Sequence, residues 1–191
     1  MGGAAFVGTL VGTPRVTGGR VELRLSGQYV SLPPVIVRSM TAFSMEMWVD
    51  TGMNSGTTLP LFVWGDALGT STECIYVNRY TGGSVFAGWN RNGAPICTVT
   101  SSQPFDGQTN MHVVLTIAGD GFMRLYINNL MTVSSSCGNV VLPPANYFAI
   151  GNSPAAVLNV SLNEFRVWTG VLSAADVAAH FSQGPGELIT K

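Results

Sequence analysis

Apolar and polar residues alternate strictly near the C-terminal end of the chain. Apolar side chains occupy every second position from 158 to 162, namely Leu158, Val160 and Leu162. This is the period-two pattern of a β-strand with one buried face. The apolar residues then continue at the opposite parity, at positions 165 and 167. The pattern predicts one long strand with a β-bulge near Asn163 and Glu164, which keeps both halves facing the same core.

A short helix is predicted directly after this strand. Ser173 is followed three residues later by Asp176, the spacing of a capping box that satisfies free backbone N–H groups at a helix N-terminus. Gly184-Pro185 is a typical helix end. We therefore expect one helix from about Ser173 to Phe181.

The rest of the chain is dominated by short runs of β-branched and aromatic residues. Met111 to Ala118 and Phe122 to Ile127 are two examples, and turn signals such as Asn92-Gly93 recur at the spacing of short antiparallel strands. No internal repeat or low-complexity linker interrupts this pattern. The sequence predicts an all-β domain, a two-sheet antiparallel jelly-roll sandwich with one short C-terminal helix.

Several motifs resemble those of laminin G-like domains in the concanavalin A-like lectin and glucanase superfamily. The resembling segments, in chain order, are Ser26 to Pro33, Phe43 to Val49, Asp120 to Asn128, Glu164 to Trp168 and Leu172-Ser173. Their order supports the same fold over roughly residues 16 to 181. The resemblance implies that Trp48 and Trp168 lie in the core. It also divides the chain into an N-terminal edge strand or arm (1–15), a laminin G-like jelly-roll domain (16–184) and a C-terminal tail (185–191).

Charged residues are scarce. They make up 10% of the 191 residues, compared with roughly 25% in typical soluble domains. The formal net charge is -1 and the basic residues are scattered, so we expect no nucleic-acid partner. No segment has the ~20 apolar residues of a membrane span, and no signal peptide is recognised. A surface of neutral polar groups is suited to glycan binding or to packing against protein neighbours.

Three cysteines leave at least one without an intramolecular partner. Cys74 and Cys97 fall on predicted strands separated by a third strand, which is too far for a disulfide. We therefore expect Cys74, Cys97 and Cys137 to be free thiols. This favours either a reducing compartment or a context in which the cysteines are simply small buried apolar groups.

The acidic residues do not form the pair that glycoside hydrolysis requires. Two carboxyl groups must face each other across the scissile bond, yet Glu46, Glu73 and Glu164 each stand alone on their predicted strands. His112 and His180 are the only histidines, and neither has a carboxylate nearby in the sequence. We predict that the chain is not an enzyme and that its fold requires no cofactor.

Calcium is the one metal that the resemblance suggests, because relatives of this fold carry it in loops at one edge of the sandwich. The candidate ligands are Asp66 and Asp120, with Asn90 and Asn92 as neutral oxygen donors near Asp66. The alternative is that these are ordinary turn residues.

Carbohydrate recognition requires an aromatic face surrounded by amide or charged groups. The strongest local cluster for this role comprises Trp89, Asn90, Arg91 and Asn92, with Arg79 and Tyr80 on the preceding strand. Trp89 precedes a predicted turn, so its ring could lie at a sheet rim. The alternative is that Trp89 simply covers a sheet face.

Two functional hypotheses remain open. The first is a non-catalytic carbohydrate-binding or adhesion module displayed on a larger assembly, with a glycan as its partner. The second is a structural subunit of a virion or filament, in which the jelly roll is a building block among protein neighbours. Both favour an extracellular or virion surface.

Overall fold

A β-sandwich of two antiparallel sheets forms the domain in a computed structural model, which describes residues 8–37, 40–53, 58–66, 73–134, 136–138, 142–143, 146–151 and 157–186. The first sheet has seven strands in the order β1-β4-β13-β6-β7-β8-β9. Their bounds are β1 Thr9–Val11, β4 Tyr29–Ser31, β13 Tyr147–Ile150, β6 Leu59–Gly65, β7 Glu73–Arg79, β8 Ser84–Arg91 and β9 Ala94–Pro104.

The second sheet also has seven strands, in the order β12-β11-β10-β5-β14-β3-β2. Their bounds are β12 Leu130–Val133, β11 Met123–Ile127, β10 Met111–Ile117, β5 Phe43–Thr51, β14 Val160–Thr169, β3 Arg20–Leu23 and β2 Arg15–Thr17. A 3-10 turn covers Pro34–Ile36, and helix α1 spans Ala174–Gln183. The predicted fold class is confirmed.

The core lies between the sheets and is built from alternate residues of each strand. Phe43, Met45, Met47 and Val49 of β5 are all buried in one continuous cluster, as strand alternation requires. The Phe43 ring packs edge-on against Trp64 of the first sheet, with 4.8 Å between ring centroids. This alternation gives each sheet a second face that points away from the core, called its outer face below.

The predicted bulge and helix cap are both confirmed. The pairing of β14 with β5 shifts register between Leu162 and Glu164, so Phe165 and Val167 still pack against the core. The Ser173 side chain accepts a hydrogen bond from the Asp176 N–H, the Asp176 carboxylate accepts one from the Ser173 N–H, and Gly184 ends the helix.

Helix α1 packs on the outer face of the second sheet. Val177 is fully buried against Val114 and Tyr126, with Leu172 beside them. Trp48 is buried on this outer face and stacks on His112, with 4.4 Å between centroids. The expectation that Trp168 lies in the core is wrong: beyond the bulge it falls on the outer face, pairs with Ser44 in register and is only half-buried.

The expectation of three free thiols is also wrong. Cys97 and Cys137 form a disulfide, and Cys74 is free and buried. Cys97 lies on β9, the edge strand of the first sheet, and Cys137 follows β12, the edge strand of the second. The bond therefore joins the two sheets at one side of the sandwich. Such bonds persist in oxidising compartments, so the free-thiol argument for a reducing compartment no longer applies.

The N-terminal region contributes to the edges of both sheets. Strand β1 pairs with β4 at the edge of the first sheet, and β2 pairs with β3 at the edge of the second. Residues 1–7 and 187–191 of the predicted arm and tail lie outside the described residues. No helix in the described part of the chain is long and apolar enough to span a membrane.

Candidate functional site

The β7–β8 hairpin places the predicted sugar-binding residues on opposite faces of the first sheet. Trp89 follows Val85 and Ala87 at the same parity and is 2% exposed in the core. Its predicted role as a stacking platform is therefore wrong. Arg79 is also on the inner side, 2% exposed, and its Nη2 lies 2.6 Å from Asp106 Oδ2. Neither side chain is accessible to a ligand.

Two further predicted sugar-binding residues, Arg91 and Asn92, lie at the end of β8. Arg91 Nε lies 3.6 Å from Glu73 Oε1 on the neighbouring strand, and its guanidinium is 6.0 Å from the Trp89 ring centroid. Asn92 and Gly93 both have positive φ, 51° and 75°, so they form the predicted turn between β8 and β9. Arg91 and Asn92 thus have structural roles at the turn that connects β8 to β9.

Asn90 and Tyr80 are the two predicted residues that share an open surface. Asn90 points to the outer face of the first sheet, and Tyr80 extends over the same face from the end of β7, 50% exposed. Sequence reasoning missed the other residues of this surface. They are Tyr76, Asn78, Phe86, Thr98 and Thr100. We call these seven residues the aromatic face.

Three rings form the centre of the aromatic face. Phe86 contacts Tyr80 edge-on at a centroid distance of 5.3 Å and Tyr76 at 5.6 Å. Tyr76 lies across Gly88 on the adjacent strand, where a Cβ atom would collide with its ring. Gly88 therefore allows the Tyr76 ring to lie close against the sheet. The rings are partly exposed, as stacking on a sugar requires.

Neutral polar groups surround these rings. The Tyr76 hydroxyl donates to Asn90 Oδ1 at 3.4 Å. Asn78 pairs with Phe86 in register, and its Oδ1 is buried and accepts no hydrogen bond within the described residues. Thr98 and Thr100 are exposed on β9. Amides and hydroxyls of this kind bind sugar hydroxyl groups.

The pKa shifts at this face mark burial rather than reactivity. Burial, reinforced by the negative charge of Asp66, raises the pKa of the Cys74 thiol to about 11. Burial, with a smaller contribution from Cys74, also raises the pKa of Tyr76. Both groups therefore stay protonated and neutral near pH 7, and Cys74 is a poor nucleophile.

The two calcium candidates lie on different sheets. Asp66 follows β6 of the first sheet. Asp120, in the β10–β11 turn of the second, accepts hydrogen bonds from the Phe122 N–H at 3.0 Å and from Arg124 Nη2 at 2.6 Å. Across the described ranges, no group of three or more His, Cys, Asp or Glu side chains could hold a metal.

A buried cluster of hydrogen-bonded side chains around the Glu46 carboxylate, called the ionic cluster below because that carboxylate is charged, lies beneath α1 on the outer face of the second sheet. Glu46 is 1% exposed and bonds His112 Nε2 at 2.8 Å through Oε1. Its Oε2 accepts from Trp168 Nε1 at 2.9 Å and lies 3.1 Å from His180 Nδ1 of α1. Sequence reasoning found no partner for either histidine, because the contacts join residues 66 and 134 positions apart.

Burial alone would raise the pKa of Glu46, but the shift runs the other way. The hydrogen bonds from His112 and Trp168, together with electrostatic attraction to His180 and His112, hold the pKa of Glu46 below its ordinary value. The carboxylate is thus ionised at neutral pH and fully engaged. We assign the cluster to the attachment of α1.

Solved structures of other proteins share this architecture. The receptor binding domain of botulinum neurotoxin C/D mosaic serotype matches with a TM-score of 0.67 at 19% identity, over 93% of this chain and 46% of that chain. A structure of botulinum neurotoxin type C, whose cell entry depends upon interaction with two ganglioside molecules, matches with a TM-score of 0.71 at 12% identity, over 93% and 46%. Trypanosoma rangeli sialidase matches with a TM-score of 0.68 at 19% identity, over 89% and 28%.

The chain spans less than half the length of each of these three structures, so the likeness establishes the fold alone. No curated protein sequence matches the chain. A family model does match, over residues 25–178, which is most of the chain and includes both the aromatic face and the start of α1. The chain therefore belongs to the Laminin_G_3 family of the concanavalin A-like lectin/glucanases superfamily.

Proposed function

We propose that this domain is a non-catalytic carbohydrate-binding module and that its binding site is the aromatic face. The observation that carries the proposal is the cluster of Tyr76, Phe86 and Tyr80, partly exposed and flanked by Asn78 and Asn90. Aromatic rings pack against the apolar side of a pyranose, and amides bind its hydroxyl groups.

Two further observations support the proposal. The Cys97–Cys137 disulfide is compatible with an extracellular location, where glycans are displayed. The solved structures of similar fold include a toxin receptor binding domain and a sialidase, whose names associate this fold with receptors and sugars.

The absence of catalysis is part of the proposal. The three strand glutamates weighed above as a catalytic acid or nucleophile have other partners: Glu46 is enclosed beneath α1, Glu164 binds Arg166 Nε at 2.8 Å and Glu73 pairs with Arg91. We expect no reducing-end release from β-glucans or alginate. Release that one acidic-to-amide substitution abolished would contradict this.

A glycan array followed by calorimetric titration of the best binder tests the binding role. Tyr80→Ala should weaken binding by about two- to twelvefold, since an aromatic contact contributes roughly 0.5–1.5 kcal/mol. The matched control is Phe122→Ala, which removes a half-buried aromatic ring from the second sheet's β10–β11 turn and should leave affinity unchanged. Equal losses in both variants, or no glycan bound by the wild type, would refute the proposal.

A second candidate function is that of a structural subunit, and one observation favours it. Strand β12, at the edge of the second sheet, exposes Leu130, Met131 and Val133 at 56%, 51% and 44%. It has no charge or proline among its four residues, the usual protections against strand pairing. Light scattering at several concentrations tests it: association that Met131→Lys abolishes supports the subunit role, and a monomer throughout contradicts it.

A further inference from the structure

We propose that the aromatic face selects neutral glycans over anionic ones such as sialylated or sulfated glycans. The inference rests on the proposed carbohydrate-binding function and adds the class of ligand. It is carried by the distribution of charge around the face, since anionic sugars are normally bound by arginine or lysine side chains.

None of the seven described residues that make up the aromatic face is charged. Their polar groups are two amides, two threonine hydroxyls and two phenols. Burial raises the pKa of one of those phenols, Tyr76, and so keeps it neutral. A carboxylate or sulfate placed on this face would lose water without gaining a cation.

The nearest arginines along the chain are turned away or already paired. Arg79 is 2% exposed on the inner side of the sheet, where Asp106 binds it through Nε at 3.0 Å and Nη2 at 2.6 Å. Arg91 pairs with Glu73 at the end of the hairpin. Freeing the Arg79 guanidinium would break a buried ion pair, which is costly.

An acidic side chain also lies near one edge of the face. Asp66 lies close enough to Cys74 that its carboxylate contributes, after burial, to raising the pKa of that thiol. Cys74 is next to Tyr76 on the same side of β7, two residues away along the strand. At this edge the negative charges of Asp66 and Glu73 offset the positive charge of Arg91, so an anionic ligand gains no net attraction.

Neutral hydroxyl groups, by contrast, suit the face. Thr98 and Thr100 are exposed on β9, and their hydroxyls can both donate to and accept from the hydroxyl groups of a sugar. The aromatic rings and the neutral polar groups thus both favour an uncharged pyranose.

The test uses matched pairs of neutral, sialylated and sulfated oligosaccharides, first on an array and then by titration at 50 and 500 mM NaCl. We expect binding to neutral members at least about tenfold tighter than to their anionic counterparts, with little change in affinity between the two salt concentrations. A Thr98→Lys variant, which adds a cation on the exposed edge of the face, should narrow this preference.

The outcomes separate the two proposals. Binding that is equal or tighter for the anionic members overturns the inference while leaving the carbohydrate-binding function in place. Binding to no glycan overturns both. Neutral preference that Phe122→Ala reduces as much as Tyr80→Ala would place the selective site elsewhere and also overturn the inference.

Discussion

The outer faces of the two sheets differ in what covers them. On the second sheet, α1 closes over Glu46, His112 and Trp48, and the Glu46 carboxylate forms hydrogen bonds with His112 and with His180 of α1. On the first sheet, Tyr76, Phe86 and Asn90 stay partly exposed and uncharged. In both sheets, alternate residues of each strand point away from the core and form the outer face. The difference shows that the covered face buries a carboxylate within a set of hydrogen bonds, while the open face carries only neutral groups.

Removing Glu46 should have the largest effect on the covered face. Glu46→Ala leaves His112, His180 and the Trp168 N–H without their acceptor. A buried donor left without its acceptor costs about 1–3 kcal/mol. Because three donors lose theirs, we expect a loss of roughly 3–5 kcal/mol in the free energy of unfolding, measured by urea denaturation.

An exposed ion pair provides the control for Glu46. Arg124→Ala removes the partner of Asp120 at the surface of the same sheet, and exposed pairs contribute about 0–1 kcal/mol. A Glu46→Ala loss no larger than that of Arg124→Ala would mean that the cluster does not hold α1 in place.

The disulfide should contribute nearly as much as Glu46 to the free energy of unfolding. It acts at the edges of the two sheets, whereas Glu46 acts on the face of one. Cys97 and Cys137 are 40 residues apart, and closing a loop of that length stabilises a domain by about 4 kcal/mol in the chain-entropy model. We expect the free energy of unfolding of Cys97→Ala/Cys137→Ala, measured by urea denaturation, to be lower than that of the wild type by this amount. Cys74→Ala is the matched control, and an equal loss from it would indicate a packing effect.

The ionic cluster also predicts how stability depends on pH. Because the pKa of Glu46 is lowered in the folded state, its contribution is complete above the ordinary glutamate pKa of about 4.3 and is lost as pH falls through the lowered value. Asp120 and Asp176 also have a lowered pKa, owing to hydrogen bonds from Arg124 and Ser173. The Glu46 share is therefore measured as the difference between wild type and Glu46→Gln, which should shrink below pH 4.3.

Local sequence patterns were sufficient to predict β14 and α1, the last strand and the helix that covers the second sheet. The bulge after Leu162 and the cap at Ser173 depend on residues within a few positions of each other, so their chemistry is visible in the sequence. The disulfide and the Glu46 cluster depend on contacts between distant strands. No pattern within one strand indicates such contacts.

The open face was predicted only in part, for a different reason. Placing Trp89 at a rim ignored the parity set by Val85 and Ala87, which point to the core and place Trp89 beside them. The same parity assigns Phe86 and Asn90 to the outer face. Extending the in–out alternation from Val85 and Ala87 along β8 would have identified Phe86 and Asn90. The position of Tyr80 over Phe86 depends instead on the turn of the β7–β8 hairpin.

Loss of the helix cap should have a smaller effect than loss of the ionic cluster. Ser173→Ala removes the acceptor of the Asp176 N–H, and losing an N-cap typically costs about 1 kcal/mol. Thermal unfolding should register this loss without any change in glycan affinity, since α1 lies on the opposite sheet from the aromatic face. A change in affinity would show that the two outer faces are coupled.

Tyr80→Ala should have the smallest effect on stability of these substitutions. The ring is half exposed and contacts Phe86 by its edge, so we expect a loss of about 1 kcal/mol or less in the free energy of unfolding. Glycan affinity should nevertheless fall, which is the reverse of the Ser173→Ala pattern. Urea denaturation and titration of the same preparations compare the two quantities directly. A Tyr80→Ala variant that lost several kcal/mol of stability would show that the open face is a structural element like the covered one, and the division between the two faces would fail.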